Sequence, residues 1–236
     1  MGRIFEKRKH KMFARYDKMA KAFTKIGREI AIAVKSGGPE PEYNPRLRAA
    51  IQNGKALNMP KDRIDNAIKR ASSKEDGNFE ETVYEGYGPH GVAIVVETAT
   101  DNTTRTVANI RMYFNRGNGT LGKTGSLDFM FQRKGVFRIS KEAIGNPEDL
   151  EFELIDFGLD NLEVDEEEVI IYTAYEDFGK MSKALEDRNM VVKKAALERL
   201  PTTFVELSEE QQDEILQLID KFEEDDDVQA VYHNLK

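Results

Sequence analysis

The sequence has no cysteine. Disulfides, thiolate nucleophiles, cysteine-based zinc sites and iron–sulfur clusters are therefore excluded. Histidine is nearly as scarce, at three residues, His10, His90 and His233, which argues against a histidine-rich metal centre. No run approaches the ~18 apolar residues of a membrane span. The opening Met-Gly-Arg-Ile-Phe-Glu-Lys has no apolar stretch behind it of the kind a secretory signal carries. These absences predict a cytoplasmic protein without a metal or other cofactor, in which the sequons at Asn102 and Asn118 have no glycosylation meaning.

What is present is charge, unevenly placed. The 236 residues are 39% hydrophobic and 33% charged, with a net charge of -8. Residues 1–80 hold 19 Lys and Arg against 10 Asp and Glu, a balance of +9, so the remaining 16 and 33 give residues 81–236 a balance of -17. A basic head on an acidic body points to a polyanionic partner for the head.

Met19, Phe23, Ile26, Ile30 and Val34 recur at steps of three and four, predicting a helix over residues 18–35. Ser36-Gly37-Gly38-Pro39 stops it. Asn44-Pro45 is a helix start, with Asn as cap and Pro at the first helical position, and Pro60 opens a third helix. The helical head ends near Gly77-Asn78. Beyond it, Gly91–Thr98 is a β-branched strand. Asp101-Asn102 caps a helix with Val107, Ile110 and Phe114 inward. Leu127–Phe131 and Val136–Ser140 read as a hairpin across Gln132-Arg133-Lys134-Gly135. Asn146-Pro147 starts a further helix, followed by short strands near 162–164 and 169–172, a helix around Phe178–Leu185, and an extended tail from Val191. Ser208-Glu209-Glu210-Gln211 is a capping box, and Val228–Leu235 alternates like a strand.

The fold class expected is multi-domain α and α+β: an N-terminal three-helix module followed by two α+β modules, at least one ferredoxin-like. Residues 91–140 read strand–helix–strand–strand and lack a helix and a strand, which the C-terminus supplies. Joined, they give the ferredoxin-like split unit. The predicted domains are 1–80, a discontinuous 81–140 with 205–236, and an inserted acidic 141–204. Two sequential α+β domains divided near residue 145 are the simpler alternative.

The basic arm is the sharpest candidate site. Arg3, Lys7, Arg8, Lys9, Lys11, Arg15, Lys18, Lys21, Lys25 and Arg28 face only Glu6 and Asp17 within residues 1–28. Phe5, Phe13, Tyr16 and Phe23 are interleaved with them. Cations neutralise phosphates and release counterions, and aromatics stack on unpaired bases. Lys55, Lys61 and Arg63 extend the candidate nucleic-acid surface, while Phe23, at helical spacing, reads as core. Glu223-Glu224-Asp225-Asp226-Asp227 holds enough carboxylate for a divalent cation. Consecutive carboxylates at a helix end do not converge, however, and a solvated turn or partner-facing acidic surface is the preferred reading. Tyr84–Gly91 lacks phosphate-loop spacing and reads as an inter-domain turn. Arg105 reads as structural, paired with Asp101 or Glu97. No nucleophile–base or paired-carboxylate constellation emerges, so the chain is not expected to be an enzyme.

Five stretches resemble one family in order along the chain: Asn44-Pro45-Arg46-Leu47-Arg48, Asn58-Met59-Pro60-Lys61-Asp62, Tyr84-Glu85-Gly86-Tyr87-Gly88-Pro89, Thr100-Asp101-Asn102 with Arg105-Thr106, and Asp225-Asp226-Asp227-Val228-Gln229 running on to Val231-Tyr232-His233-Asn234. They are similar to the YebC family of probable transcriptional regulators. That family is related to the mitochondrial translational activator of cytochrome c oxidase. The resemblance implies a helical N-terminal module, two α+β modules, and regulation of gene expression through DNA. The alternative it implies is a translation factor contacting ribosomal or transfer RNA, with the ribosome as its partner. A dock for an acidic protein is the further reading of the basic head.

Overall fold

The computed structural model describes the backbone of residues 3–73 and 79–236, and the side chains of residues 19–73, 79–142 and 144–236. The expected end of the head at Gly77-Asn78 lies outside these residues. Helix α1 covers Arg3–Gly37, starting well before the segment that periodicity marked. At 1.5 Å per residue it is about 50 Å long. Helices α2 (Pro45–Ala56) and α3 (Lys61–Ser72) pack on its C-terminal half. Ile26, Ile30 and Val34 meet Leu47, Ala50, Ile64 and Ala67 in their shared core. Asn44 is the pin of this turn. Its side chain accepts from the Leu47 amide at 3.0 Å, as the Asn-Pro signal predicts, and donates back to the carbonyl oxygens of Ala33 at 2.7 Å and Gly38 at 2.9 Å.

The body follows with β1 (Glu80–Tyr87), β2 (Ala93–Thr100), α4 (Thr103–Arg116) and β3 (Thr120–Leu121). Next come β4 (Phe131–Ser140), α5 (Pro147–Leu154), β5 (Leu159–Val164), β6 (Glu168–Ala174), α6 (Phe178–Asp187) and β7 (Val192–Pro201), and the chain ends with α7 (Glu209–Glu223) and β8 (Val228–His233). Asn102, Asn146 and Ser208 cap α4, α5 and α7, the last with the reciprocal Gln211 contact.

The strands form two antiparallel four-stranded sheets, in orders β3-β1-β2-β8 and β5-β6-β4-β7. The structure thus has the N-terminal helical module and two α+β modules, but three local expectations are corrected. Tyr84–Tyr87 is not an inter-domain turn. It is the second half of β1, and Gly86 is required there because a Cβ would stand 2.5 Å from the Thr120 carbonyl oxygen. The turn itself is displaced to His90 and Gly91, at φ 61° and 79°. Second, Leu127–Ser140 is not a hairpin: residues 128–130 form a 3-10 turn and 131–140 one continuous strand. Gly135 sits within that strand, under Phe178 and Thr173.

Third, β4 does not join the C-terminal strand in one sheet. It pairs with β6 and β7 along its length, and β8 pairs with β2. The βαββαβ order with strands 5-6-4-7, the ferredoxin-like arrangement, therefore belongs to residues 131–201 and not to the joined terminal segments. The other sheet starts with a hairpin of its two central strands instead. The ends of the 131–201 unit meet, because the Thr202 amide donates to the Met130 carbonyl at 2.9 Å.

The head touches both sheets. Ala49 of α2 is buried among Phe137, Phe178 and Ala195. Asn53 forms a two-way bridge to the backbone of Ala195, donating at 2.8 Å and accepting at 2.9 Å. Arg46 ion-pairs with Glu81 of β1.

Candidate nucleic-acid interface

The candidate cations divide into three groups. Arg3, Lys7, Arg8, Lys9, Lys11, Arg15 and Lys18 lie on the N-terminal half of α1, and their side chains, with those of Phe5, Phe13 and Tyr16, are outside the described residues. Lys21, Lys25 and Arg28 follow on the same helix and reach across to the body, Lys21 while still exposed and Lys25 and Arg28 half-buried. Lys21 Nζ donates to the Glu224 carbonyl at 3.2 Å and Lys25 Nζ to that of Glu223 at 3.5 Å. These are the open carbonyls at the C-terminus of α7, the negative end of its dipole. Burial pushes the Lys25 ammonium below its ordinary value against the upward pull of Glu223. The third group, Lys55, Lys61 and Arg63, is exposed around the α2–α3 turn. Arg63 lies 5.8 Å from the Phe23 ring centre, and Phe23 packs on the head core.

Arg28 reaches a junction that sequence reasoning missed. Its Nη1 donates to Asp227 Oδ1 at 2.8 Å, to the Ala99 carbonyl at 3.0 Å, and to the Asp226 carbonyl. The other oxygen of Asp227 accepts from Arg105 and Thr106, each at 2.8 Å, and from Thr100 at 3.2 Å. Asp227 is 3% exposed. Burial alone would raise its carboxyl, but the hydrogen bonds from Arg105, Thr106 and Arg28 outweigh it and hold the group below the usual carboxylate range. Asp225 is engaged too, accepting from Asn109 at 3.1 Å and Tyr113 at 3.0 Å. The Tyr113 hydroxyl is pushed up to about 12, first by burial and then by that carboxylate.

Asp227 is thus the clasp that ties Arg28 of the head to the body, and Asp225 braces it from within the body by accepting the Asp227 amide at 2.9 Å; the neighbouring Glu223, Glu224 and Asp226 are exposed. Among the described residues no group of three or more His, Asp or Glu is placed to hold a metal ion. Arg105 pairs with Asp101 at 2.8 Å, as its spacing suggests. The signal for the clasp was in the sequence: the Thr100–Thr106 and Asp225–Gln229 motifs converge on one carboxylate.

Fold and site together define a three-module protein in which a basic helical head is clasped onto an acidic α+β body. The chain belongs to the TACO1/YebC family. The model of the TACO1/YebC N-terminal domain matches residues 3–74, and that of the TACO1/YebC second and third domain matches residues 79–235. A "probable transcriptional regulatory protein" of Cytophaga hutchinsonii is 58% identical over 100% of this chain and 98% of its own length. Its namesake from Parabacteroides distasonis is 52% identical over 100% and 97%. The crystal structure of a conserved hypothetical protein from Aquifex aeolicus superposes with a TM-score of 0.82 at 38% identity, covering 92% of this chain and 90% of that one. The relatives place this chain in a regulator family, and no helix among its described residues is long and apolar enough to cross a membrane.

Proposed function

We propose that this chain regulates gene expression by binding nucleic acid through its basic head, as a DNA-binding transcriptional regulator and not as an enzyme. The names of its relatives support the regulatory role. The observation that carries the binding role is the division of charge, +9 in residues 1–80 against -17 in residues 81–236. Even with Lys21, Lys25 and Arg28 engaged by the body, the head keeps seven basic positions on the first half of α1 and exposed cations at Lys55, Lys61 and Arg63. The acidic body repels phosphate and so orients the encounter.

A second reading is a translation factor contacting RNA. The βαββαβ sheet of residues 131–201 favours it by analogy of fold, since such sheets frequently serve as RNA platforms.

Salt titration tests the shared premise. If about five phosphates are neutralised, log K against log[salt] has a slope of about -4.5 on duplex DNA and a shallower one on single strands. Replacing Lys7, Arg8, Lys9 and Lys11 with Ala flattens that slope while circular dichroism stays unchanged. An unaltered slope removes the arm from the interface. Crosslinking in cells with sequencing of both nucleic acids separates the two readings: promoter DNA without ribosomal RNA supports transcription, and the reverse supports translation.

A further inference from the structure

Parts of the acidic body have the opposite character. Residues 102–127 contain Arg105, Arg111, Arg116 and Lys123 and no Asp or Glu. Arg105 is engaged by Asp101 and Asp227. Arg111, Arg116 and Lys123 are exposed and form no ion pair among the described residues. Arg111 and Asn115 share the outer stripe of α4, whose inner stripe, Thr106, Ile110 and Phe114, is buried.

The glycine-rich loop after α4 is held firmly from below. The Gly119 amide donates to the Phe114 carbonyl at 2.8 Å and the Gly122 amide to the Glu85 carbonyl at 2.7 Å. Glu85 is 3% exposed, and its carboxylate accepts the amides of Gly125 at 2.9 Å and Leu127 at 2.6 Å. The upper surface, Thr120 and residues 122–126, is exposed. A loop fixed in this way loses little entropy when a ligand settles on it.

Aromatic rings border the same loop. Tyr87 pairs with Thr120 across β1 and β3, is 42% exposed, and places its hydroxyl 3.8 Å from Met130 Sδ. Phe129, the neighbour of Met130, is 77% exposed. Asp128 between loop and ring lies 3.8 Å from Arg199 Nη1.

We infer that α4, the 117–126 loop and, around the β3 edge on the opposite face of the sheet, Tyr87 with Phe129 form a second nucleic-acid contact, separate from the head, that takes single-stranded nucleic acid passing over that edge. Arg111, Arg116 and Lys123 track the phosphates, and the exposed rings stack on unpaired bases, which a duplex does not present. This inference rests on the reading of the chain as a nucleic-acid binder and assigns the body a role in it.

The test uses the full chain with a labelled 20-nucleotide mixed-sequence RNA and a 20-base-pair DNA duplex as probes. The Arg111→Ala/Arg116→Ala/Lys123→Ala variant is expected to make the single-strand salt slope shallower by about 2. Phe129→Ala is expected to weaken single-strand binding by roughly fivefold or more and leave duplex binding unchanged. Photocrosslinking of wild-type protein to thiouridine-containing RNA should label the peptide spanning residues 117–133, a readout independent of any variant. If the triple variant keeps wild-type affinity and slope, or if crosslinks fall only in residues 1–73, the second contact is overturned while the head reading stands. If wild-type protein binds neither probe, both fall together.

Discussion

Replacing Asp227 with Ala should weaken the attachment of head to body, leaving the contacts of Ala49, Asn53 and Arg46 in place. The carboxylate is nearly fully buried, and Arg28, its partner across the module boundary, keeps only 15% of its side chain exposed. Removing one member of a buried pair costs about 3–5 kcal/mol because the other charge is left uncompensated. Arg105 retains 47% side-chain exposure and rehydrates, so it adds little. Thr100 and Thr106 are buried, and one of their hydroxyls would lose an acceptor. The lower end of the range, about 3 kcal/mol, is therefore expected. For a chain of this size that lowers Tm by roughly 6–12 °C.

A double-mutant cycle with Arg28→Ala isolates the pair, with an expected coupling of about 1–3 kcal/mol. The pH dependence has a definite sign. The folded carboxyl lies below its unfolded value, so its stabilisation is complete above that value, ~3.9, and is lost as pH falls through the depressed folded one. In Asp227→Ala this part of the acid destabilisation should vanish. Calorimetry across pH 2–7 reads both effects. A Tm within a degree or two of wild type, or a coupling below about 0.5 kcal/mol, would refute the clasp.

Glu29 gives the opposite pH signature. Desolvation raises its carboxyl to about 7 and Glu81 adds to the rise, against the pull of Arg46 and Lys194. A raised carboxyl destabilises the fold as pH climbs from its unfolded value to its folded one, so Glu29→Gln should match wild type below pH 4 and exceed it above pH 7 by roughly 1–3 kcal/mol in urea unfolding; equal midpoints at pH 8 would contradict this. Excision tests the discontinuous architecture. A chain with residues 131–201 replaced by a short Gly/Ser linker should keep hydrogen-exchange protection in β1, β2 and β8, since Met130 and Thr202 already meet at 2.9 Å. Truncation after residue 204 should abolish that protection, because α7 supplies Ile215, Leu218 and Phe222 to the same core.

The sequence by itself determined the elements whose signals are local. The Asn-Pro and Ser-x-x-Gln starts predicted α2, α5 and α7, because a cap is satisfied within one turn. Apolar periodicity predicted the buried faces of α1 and α4. The charge division needed only counting. Strand partnership was not legible, since β4 carries the same alternating pattern whichever sheet receives it, and only pairing of Phe131–Ser140 with both β6 and β7 assigned it. Gly86 looked like a turn residue because its reason, the approach of Thr120, lies 34 residues away.

The roles of the charged residues depended most on tertiary structure. Lys21, Lys25 and Arg28 have the same residue types and spacing as the arm before them, yet they meet Glu223, Glu224 and Asp227 some 200 residues later. Whether a cation faces solvent or a buried carboxylate is decided by which surfaces the fold brings together. Two of the family motifs hold Asp227 and its body partners Thr100, Arg105 and Thr106, but the head partner, Arg28, lies in none of them and was placed there by the fold alone.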